Sequence, residues 1–222
     1  MKSILKLEIS TTSLIVTNLF LMTMAIIYKW TIYDQIMVFW CENLVIGFYT
    51  LIKLPMCRDV LPENREHFPV KPKHIKFIIS PFFLIVFLMF CAMHLAMIHM
   101  LFYDDVESYA NAHEQNYFPQ VNWNVVLISI AALFVNHGIS FIINFLGKKE
   151  YLTYRMDQML ILPYKRVMLV HLIVMVFGLL LNSAGRASII GIVLFFLAKI
   201  WIDIRRHRAE HSVVIESTYG WF

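Results

Sequence analysis

Charged side chains are scarce in this chain of 222 residues, of which Asp, Glu, Lys and Arg together make up 15%. Soluble globular domains usually carry about a quarter. Hydrophobic residues make up 59% of the chain, and the mean hydropathy is +0.67. Such a chain has too few polar side chains to cover a water-soluble particle, so the composition predicts an integral membrane protein without a second, soluble domain.

Cysteine and catalytic motifs are also scarce. The three cysteines, Cys41, Cys57 and Cys91, are scattered along the chain, which argues against a disulfide framework. The sequence contains no glycine-rich nucleotide loop, nucleophile elbow, HExxH or CxxC motif, and these are the patterns that most directly mark enzyme classes. The sequence therefore assigns no reaction.

Long apolar runs predict six membrane-spanning helices, because a helix needs roughly 20 residues to cross a hydrocarbon core of about 30 Å. Lys2 and Lys6 precede the first run as in a signal peptide, but no small-residue cleavage site follows, so we expect a retained span. The predicted fold class is all-α, a polytopic membrane helix bundle of six transmembrane helices. The spans lie at about 13–28, 35–54, 78–102, 123–146, 167–181 and 187–204.

The distribution of basic residues predicts the orientation, because Lys and Arg accumulate in short cytoplasmic loops. With both termini in the cytoplasm (N-in/C-in), all of the 19 Lys and Arg residues except Lys29 and Arg186 fall on the cytoplasmic side. Two basic cytoplasmic loops, 55–77 and 147–166, and an acidic outer loop, 103–122, follow from this arrangement. The net charge of +4 then indicates contact with anionic lipid headgroups and not nucleic-acid binding.

Ionisable residues inside spans are costly and are the first place to look for a function. Glu42, His94, His137 and His171 lie within about 10 Å of one depth. Polar residues recur at helical spacing on three of the predicted spans, which indicates inward faces. The polar residues that we expect inside the bundle also include Asn43, Ser140, Asn144 and Tyr164.

Two interpretations of these residues remain open. The histidines and Asn144 could simply hydrogen-bond across helices. They could instead hold a cofactor, since imidazole is a common metal ligand. Haem b would take His137 and His171 as axial ligands, with Gly138 and Gly178 leaving room for the porphyrin, whereas non-haem iron or copper would gather Glu42, His94, His137 and His171.

The third predicted span is rich in methionine, and two interpretations are open there too. Met89, Met93, Met97 and Met100 recur at helical spacing, and Cys91 and His94 lie one turn apart. Thioether, thiolate and imidazole suit copper(I). Methionine is also a flexible apolar filler, and packing against the core or lipid is the interpretation that we favour.

Three passages of the sequence resemble an uncharacterised family of bacterial multi-pass membrane proteins, known as a domain of unknown function. They are Trp40-Cys41-Glu42-Asn43 running to Gly47-Phe48, His137-Gly138-Ile139-Ser140-Phe141 with Asn144-Phe145, and Pro163-Tyr164 with Arg166-Val167 and His171. The resemblance covers most of the chain and implies a bacterial cytoplasmic (inner) membrane protein. It implies no activity.

Three functional hypotheses follow. In the first, the bundle encloses a His/Glu site for haem or a metal ion and serves electron transfer. In the second, the chain is a non-catalytic accessory subunit of a larger membrane complex, or associates with copies of itself. In the third, Glu42 and the histidines form a path for protons or a solute.

Overall fold

The part of the chain described by the computed structural model comprises residues 2–58, 72–101, 122–183, 193–205 and 207, and it is helical throughout apart from short connections. Two short 3-10 turns, Leu54–Met56 and Glu150–Leu152, lie in these connections. The helices are α1 (Lys2–Ile27), α2 (Ile32–Lys53), α3 (Pro72–Leu101), α4 (Trp123–Ser140, continued as a π-helix over Phe141–Leu146), α5 (Met156–Ser183) and α6 (193–205).

Four of these helices are long and apolar enough to cross a membrane, with candidate spans at Ile9–Ile27, Tyr33–Met56, Lys76–Met100 and Trp123–Leu146. They overlap the first four predicted spans. The fifth predicted span lies within α5, where most side chains from residue 170 onward are outside the described part, and residues 187–192 of the sixth are outside it too. The count of six spans and the orientation therefore stay predictions.

The second helix, α2, is the central element of the bundle. In its apolar stretch 61% of the residues are buried inside the protein, against 28% in α1 and 22% in both α3 and α4. Its start is fixed by a capping box in which the Thr31 hydroxyl accepts from the Asp34 N–H and the Asp34 carboxylate accepts from the Thr31 N–H. Because α2 contacts α3, α4 and α5, its polar side chains lie inside the bundle.

Close approach between α2 and α3 depends on a glycine. A Cβ atom added at Gly47 would lie 2.3 Å from a ring carbon of Phe87, which is far inside van der Waals contact. Phe87 belongs to an aromatic and aliphatic core with Phe83, Cys91 and Phe145. The absence of a side chain at position 47 is therefore what lets this core close against α2.

One end of the bundle is closed by contacts between segments that follow α2 and precede α5. Arg58 and Arg155 form a parallel β-bridge, with Arg58 N donating to Tyr154 O and Met156 N donating to Arg58 O, both at 3.0 Å. Lys76 Nζ donates to the carbonyl of Cys57 at 2.8 Å. Burial raises the pKa of the Cys57 thiol to about 11, against the lowering effect of Lys53 and Lys76.

The predicted cytoplasmic loop 147–166 is shorter in the structure, because α5 begins at Met156. The Gln158 side chain accepts from the N–H of Arg155, and the Arg155 guanidinium donates to Asp157. These local hydrogen bonds, together with the bridge to Arg58, fix the first turn of the helix. Residues 156–166, which include Tyr164 and Arg166, thereby become part of the bundle instead of a loop.

The methionine-rich helix α3 separates its methionines from its other sulfur and nitrogen groups. Met89, Met93 and Met100 are exposed and Met97 is half-buried, whereas Cys91 and His94 are buried. Three of the four methionines therefore point away from Cys91 and His94. This arrangement favours packing against lipid for the methionines.

Candidate functional site

Glu42 of α2 lies at the centre of a buried group of charged side chains. Its Oε1 accepts from Arg166 Nη2 at 2.7 Å and lies 3.2 Å from His137 Nε2, while its Oε2 is 3.1 Å from Lys199 Nζ. The Glu42 side chain is 5% exposed. Three helices, α4, α5 and α6, thus each direct a nitrogen-bearing side chain at one carboxylate.

A second carboxylate, Asp203, shares two of these partners. Lys199 Nζ donates to Asp203 Oδ2 at 2.6 Å, and Arg166 Nη2 donates to Asp203 Oδ1 at 3.4 Å. Lys199 also donates to Asn18 Oδ1 of α1 at 2.8 Å. We call Glu42, His137, Arg166, Lys199 and Asp203 the charge cluster.

The charges of the cluster balance when His137 is neutral, because two carboxylates face one guanidinium and one ammonium. Removing a charge from water costs several kcal/mol, and close, hydrogen-bonded partners of opposite sign offset that cost. Inside a membrane bundle such residues rarely serve packing alone and mark ion or proton pathways. The cluster is therefore the candidate functional site.

A cavity of about 100 Å³ adjoins the charge cluster. Its walls come from the first half of α1, the last turns of α2 and α4, the first turns of α5, and Asp203 and His207 near the end of α6, so it lies toward one end of the bundle. His137 and Arg166 keep 16% and 17% of their side-chain surface exposed, against 5% for Glu42. The cavity is lined by Ser10, Leu14, Ile46, Tyr49, Thr50, Lys53, Asn136, His137, Ser140, Met159, Leu162, Pro163, Arg166, Asp203 and His207.

Polar side chains of α1 and α4 are joined beside the cavity. Asn144 Nδ2 donates to Ser10 Oγ at 2.9 Å and to Ser140 Oγ at 3.3 Å, and Ser13 Oγ donates to Asn136 Oδ1 at 2.9 Å. Asn144 lies in the π-helical turn of α4, a feature found frequently at functional sites. These bonds hold the cavity wall in place.

Aromatic rings pack beside the charge cluster on the turn of α2 before Glu42, whereas the α2 residues that line the cavity follow Glu42. Phe39, one turn before Glu42 on α2, packs against Phe195 and Phe196 of α6 with ring centroids 5.2 and 5.7 Å apart. Lys199 Nζ lies 4.9 Å from the centroid of the Phe39 ring, a cation–π distance. All three rings are buried, so the cluster has a polar cavity on one side and an apolar plug on the other.

The structure brings together only some of the residues proposed from the sequence. Glu42 contacts His137, and Ser140 and Asn144 lie beside the same cavity. His94 and Asn43 are buried but do not belong to the charge cluster. Tyr164 packs against Phe83, Phe87 and Phe90 of α3. The backbone of His171 is helical, and its side chain lies outside the described part.

The cofactor interpretations stay predictions. Among the side chains that the structure describes, no group of three or more His, Cys, Asp and Glu residues is placed to hold a metal ion. The Tyr49 hydroxyl lies next to Gly138, since a Cβ atom at this position would be 2.7 Å from it. The haem pair of His137 with His171 depends on a side chain that is not described.

The sequence analysis counted Arg166 and Lys199 among the cytoplasmic cations and did not predict that they pair with Glu42 and Asp203. Both are drawn into the bundle because Glu42 and Asp203 are there to pair with them. A signal was present, since Lys199 and Asp203 both fall inside the predicted sixth span at the i,i+4 spacing of an ion pair. No comparable spacing in the sequence indicated that Asn18 would contact Lys199.

Comparison with known proteins identifies a family but no activity. Residues 1–218 match the model of a family of unknown function (DUF6498). No curated protein matches the chain significantly, and neither does any solved structure. The geometry of the charge cluster is therefore the basis for any functional conclusion.

Proposed function

We propose a function for this chain, which belongs to a family of unknown function, DUF6498: it is a proton-coupled membrane transporter in which Glu42 is the carboxylate that carries the proton. The bundle has six spans with both termini in the cytoplasm of a bacterial cell. The charge cluster is the coupling centre, and the cavity beside it is the cytoplasmic half of the path.

The basic segments support this orientation. Lys2 and Lys6 precede the cavity-lining part of α1, and Lys148 and Lys149 follow that of α4. These cations lie at the same end of their helices as the cavity, and Lys and Arg in short segments mark the cytoplasmic side. They would also meet the anionic headgroups of the inner leaflet. The cavity then opens a route from the cytoplasm to Glu42.

The observation that carries the proposal is that both cations holding Glu42 have a second carboxylate within reach. Lys199 lies 3.1 Å from Glu42 and 2.6 Å from Asp203, and one nitrogen of Arg166 lies 2.7 Å from Glu42 and 3.4 Å from Asp203. If Glu42 takes up a proton, both cations keep Asp203 as a partner. Neutralising Glu42 thus leaves neither cation unpaired.

His137 is placed to pass the proton between the cavity and Glu42. The cavity reaches its ring, and its Nε2 is 3.2 Å from Glu42 Oε1. A proton that arrives on the imidazole moves from Nε2 to the carboxylate oxygen, which returns the imidazole to its neutral form. Imidazole suits this role because it gains and loses a proton near neutral pH.

The aromatic rings of Phe39, Phe195 and Phe196 supply the barrier that a coupled transporter needs. Phe39 precedes Glu42 on α2, whereas the α2 residues that line the cavity follow Glu42. In this arrangement Glu42 exchanges protons with the cytoplasmic cavity and not with the outside. Movement of α6 relative to α2 would open the barrier and close the cavity, as alternating access requires.

Purified protein in liposomes that enclose a pH-sensitive dye tests the proposal. An imposed pH gradient should collapse faster with the wild-type protein than with empty liposomes, and Glu42→Gln should abolish the difference. Asp157→Asn removes a carboxylate that is only partly buried and lies outside the cluster, and it should transport like the wild type. Equal proton flux in Glu42→Gln and wild type would overturn the proposal.

A further inference from the structure

Three polar atoms around the start of α2 are buried and have no hydrogen-bond partner within the described part of the chain. They are Nε1 of Trp30, Oδ1 of Asp34 and Nε2 of Gln35. The three residues are only 3%, 8% and 3% exposed. Leaving a buried polar atom without a partner is costly, so three such atoms in the stretch 30–35 indicate that a small polar molecule binds there.

The capping box of α2 accounts for one carboxylate oxygen of Asp34 and not for the other. Its Oδ2 accepts from the N–H of Thr31 at 2.9 Å and from the Thr31 hydroxyl at 2.8 Å. Its Oδ1 takes no part in the cap and is buried. The Asp34 side chain therefore offers an acceptor to the protein interior in addition to its role at the helix start.

The mixture of donors and acceptor fits water better than it fits an ion. Trp30 and Gln35 each offer an N–H, and Asp34 offers a carboxylate oxygen. Water accepts from the first two and donates to the third, and buried water typically makes about three such bonds. A metal cation would face two N–H donors, and an anion would face the carboxylate.

This group of polar atoms lies at the end of α2 opposite the cavity, which is lined by the last turns of the helix. Gln35, Phe39 and Glu42 occupy one face of α2 at the spacing i, i+4 and i+7, and Gln35 precedes Glu42 by about 10 Å along the helix axis. Trp30 belongs to the same buried cluster as Phe39 and the two α6 rings. The aromatic plug therefore lies between the unpaired polar atoms and Glu42.

We infer that Trp30, Asp34 and Gln35 bind buried water, the outer water site, and that this water is the outer half of the proton path. The inference rests on the proposed transport function. When the plug opens, protonated Glu42 gives its proton to this water and becomes a carboxylate again. The Asp34 carboxylate stabilises the resulting hydronium ion until the proton passes to the water outside.

Hydroxyl-radical labelling by X-ray radiolysis tests for the water itself, because radicals formed from a bound water oxidise the side chain beside it. Trp30 should be oxidised faster than Trp40, although the Trp40 ring is only half-buried. Trp40 is the matched control, since its Nε1 already donates to the carbonyl of Cys91 at 2.9 Å. Gln35→Leu should slow the oxidation of Trp30 and leave that of Trp40 unchanged. Oxidation of Trp30 no faster than that of Trp40 would overturn the outer water site.

Proton flux in liposomes tests the role of this water and separates it from the proposed function. Asp34→Asn keeps an oxygen that can accept from Thr31 but loses the charge that stabilises the hydronium ion, so flux should fall by about tenfold or more. Asp157→Asn, also in the first turn of a helix, should transport like the wild type.

Two other results would separate the claims. Fast oxidation of Trp30 together with wild-type flux in Asp34→Asn would overturn the outer path and leave Glu42 as the proton carrier. Fast oxidation of Trp30 in a wild-type protein that moves no protons would overturn the transport function and support the outer water site. Oxidation of Trp30 that persists in Asp34→Asn shows that this variant folds, so its loss of flux would support the outer path.

Discussion

Lys199 Nζ lies 3.1 Å from Oε2 of Glu42, and both side chains are at least nine-tenths buried. Each residue also has a second partner of opposite charge, Arg166 for Glu42 and Asp203 for Lys199. Breaking a buried ion pair by removing one partner costs about 3–5 kcal/mol, because the other charge remains buried. The pair therefore links the stability of the bundle to the chemistry that we propose for it.

The free energy of unfolding should fall by about 3–5 kcal/mol in Glu42→Gln, because Arg166 and Lys199 then share a single carboxylate. Denaturant unfolding in detergent, followed by circular dichroism, measures the change. Asp157→Asn is the control: its partner Arg155 is about a third exposed, and exposed pairs contribute about 0–1 kcal/mol. Equal losses in the two variants would show that Glu42 is not held by the cluster.

A double-mutant cycle on Lys199→Met and Asp203→Asn should give a coupling energy of about 2–3 kcal/mol, at the upper end of values for contacting residues. The expectation follows from the 2.6 Å contact and from the burial of both side chains. The matched cycle on Arg155→Met and Asp157→Asn should give less than about 1 kcal/mol. A coupling near zero for the buried pair would contradict the geometry described for α6.

Much of the fold was predictable from the sequence, since long apolar runs and helix caps are local properties. The helical class and the positions of α1 to α4 follow from these runs. The similar predicted depth of Glu42 and His137 suggested that these two residues could meet. The role of Arg166 was not predictable, because pairing across the bundle depends on helix order, which no local pattern encodes. The early start of α5 depended on the bridge from Arg58 to Arg155, a contact between distant segments.

Removing the ring that α2 contributes to the aromatic plug should make the protein leak protons. Phe39→Ala opens space beside Lys199 and the two α6 rings, so we expect proton flux at least several-fold above the wild type. Phe48→Ala is the control, because Phe48 lies on the same helix and is exposed. Flux that stays at the wild-type level in Phe39→Ala would argue against a barrier at this position.

Cys57 should react slowly with iodoacetamide. The thiolate is the reactive form, and the pKa of this thiol is raised to about 11, so at pH 8 almost all of it is protonated. We expect labelling more than about tenfold slower than at an exposed thiol. Mass spectrometry of a variant carrying Leu152→Cys supplies the comparison, since Leu152 is exposed at the same end of the bundle. Equal rates would show that the contacts between the segments around Arg58 and Arg155 are broken in solution, so that Cys57 is accessible.

Glu42 should be needed for proton movement and not only for stability, and a charge-balanced variant separates the two roles. Glu42→Gln with Lys199→Gln removes one charge of each sign. The charges of the cluster then balance again, with one carboxylate and one guanidinium. This variant should recover most of the stability lost in Glu42→Gln, because two cations no longer share one carboxylate.

Proton flux through that charge-balanced variant in liposomes is the most direct test. The account predicts a folded protein whose flux equals that of empty liposomes. A folded, charge-balanced protein that still moves protons at the wild-type rate would contradict it.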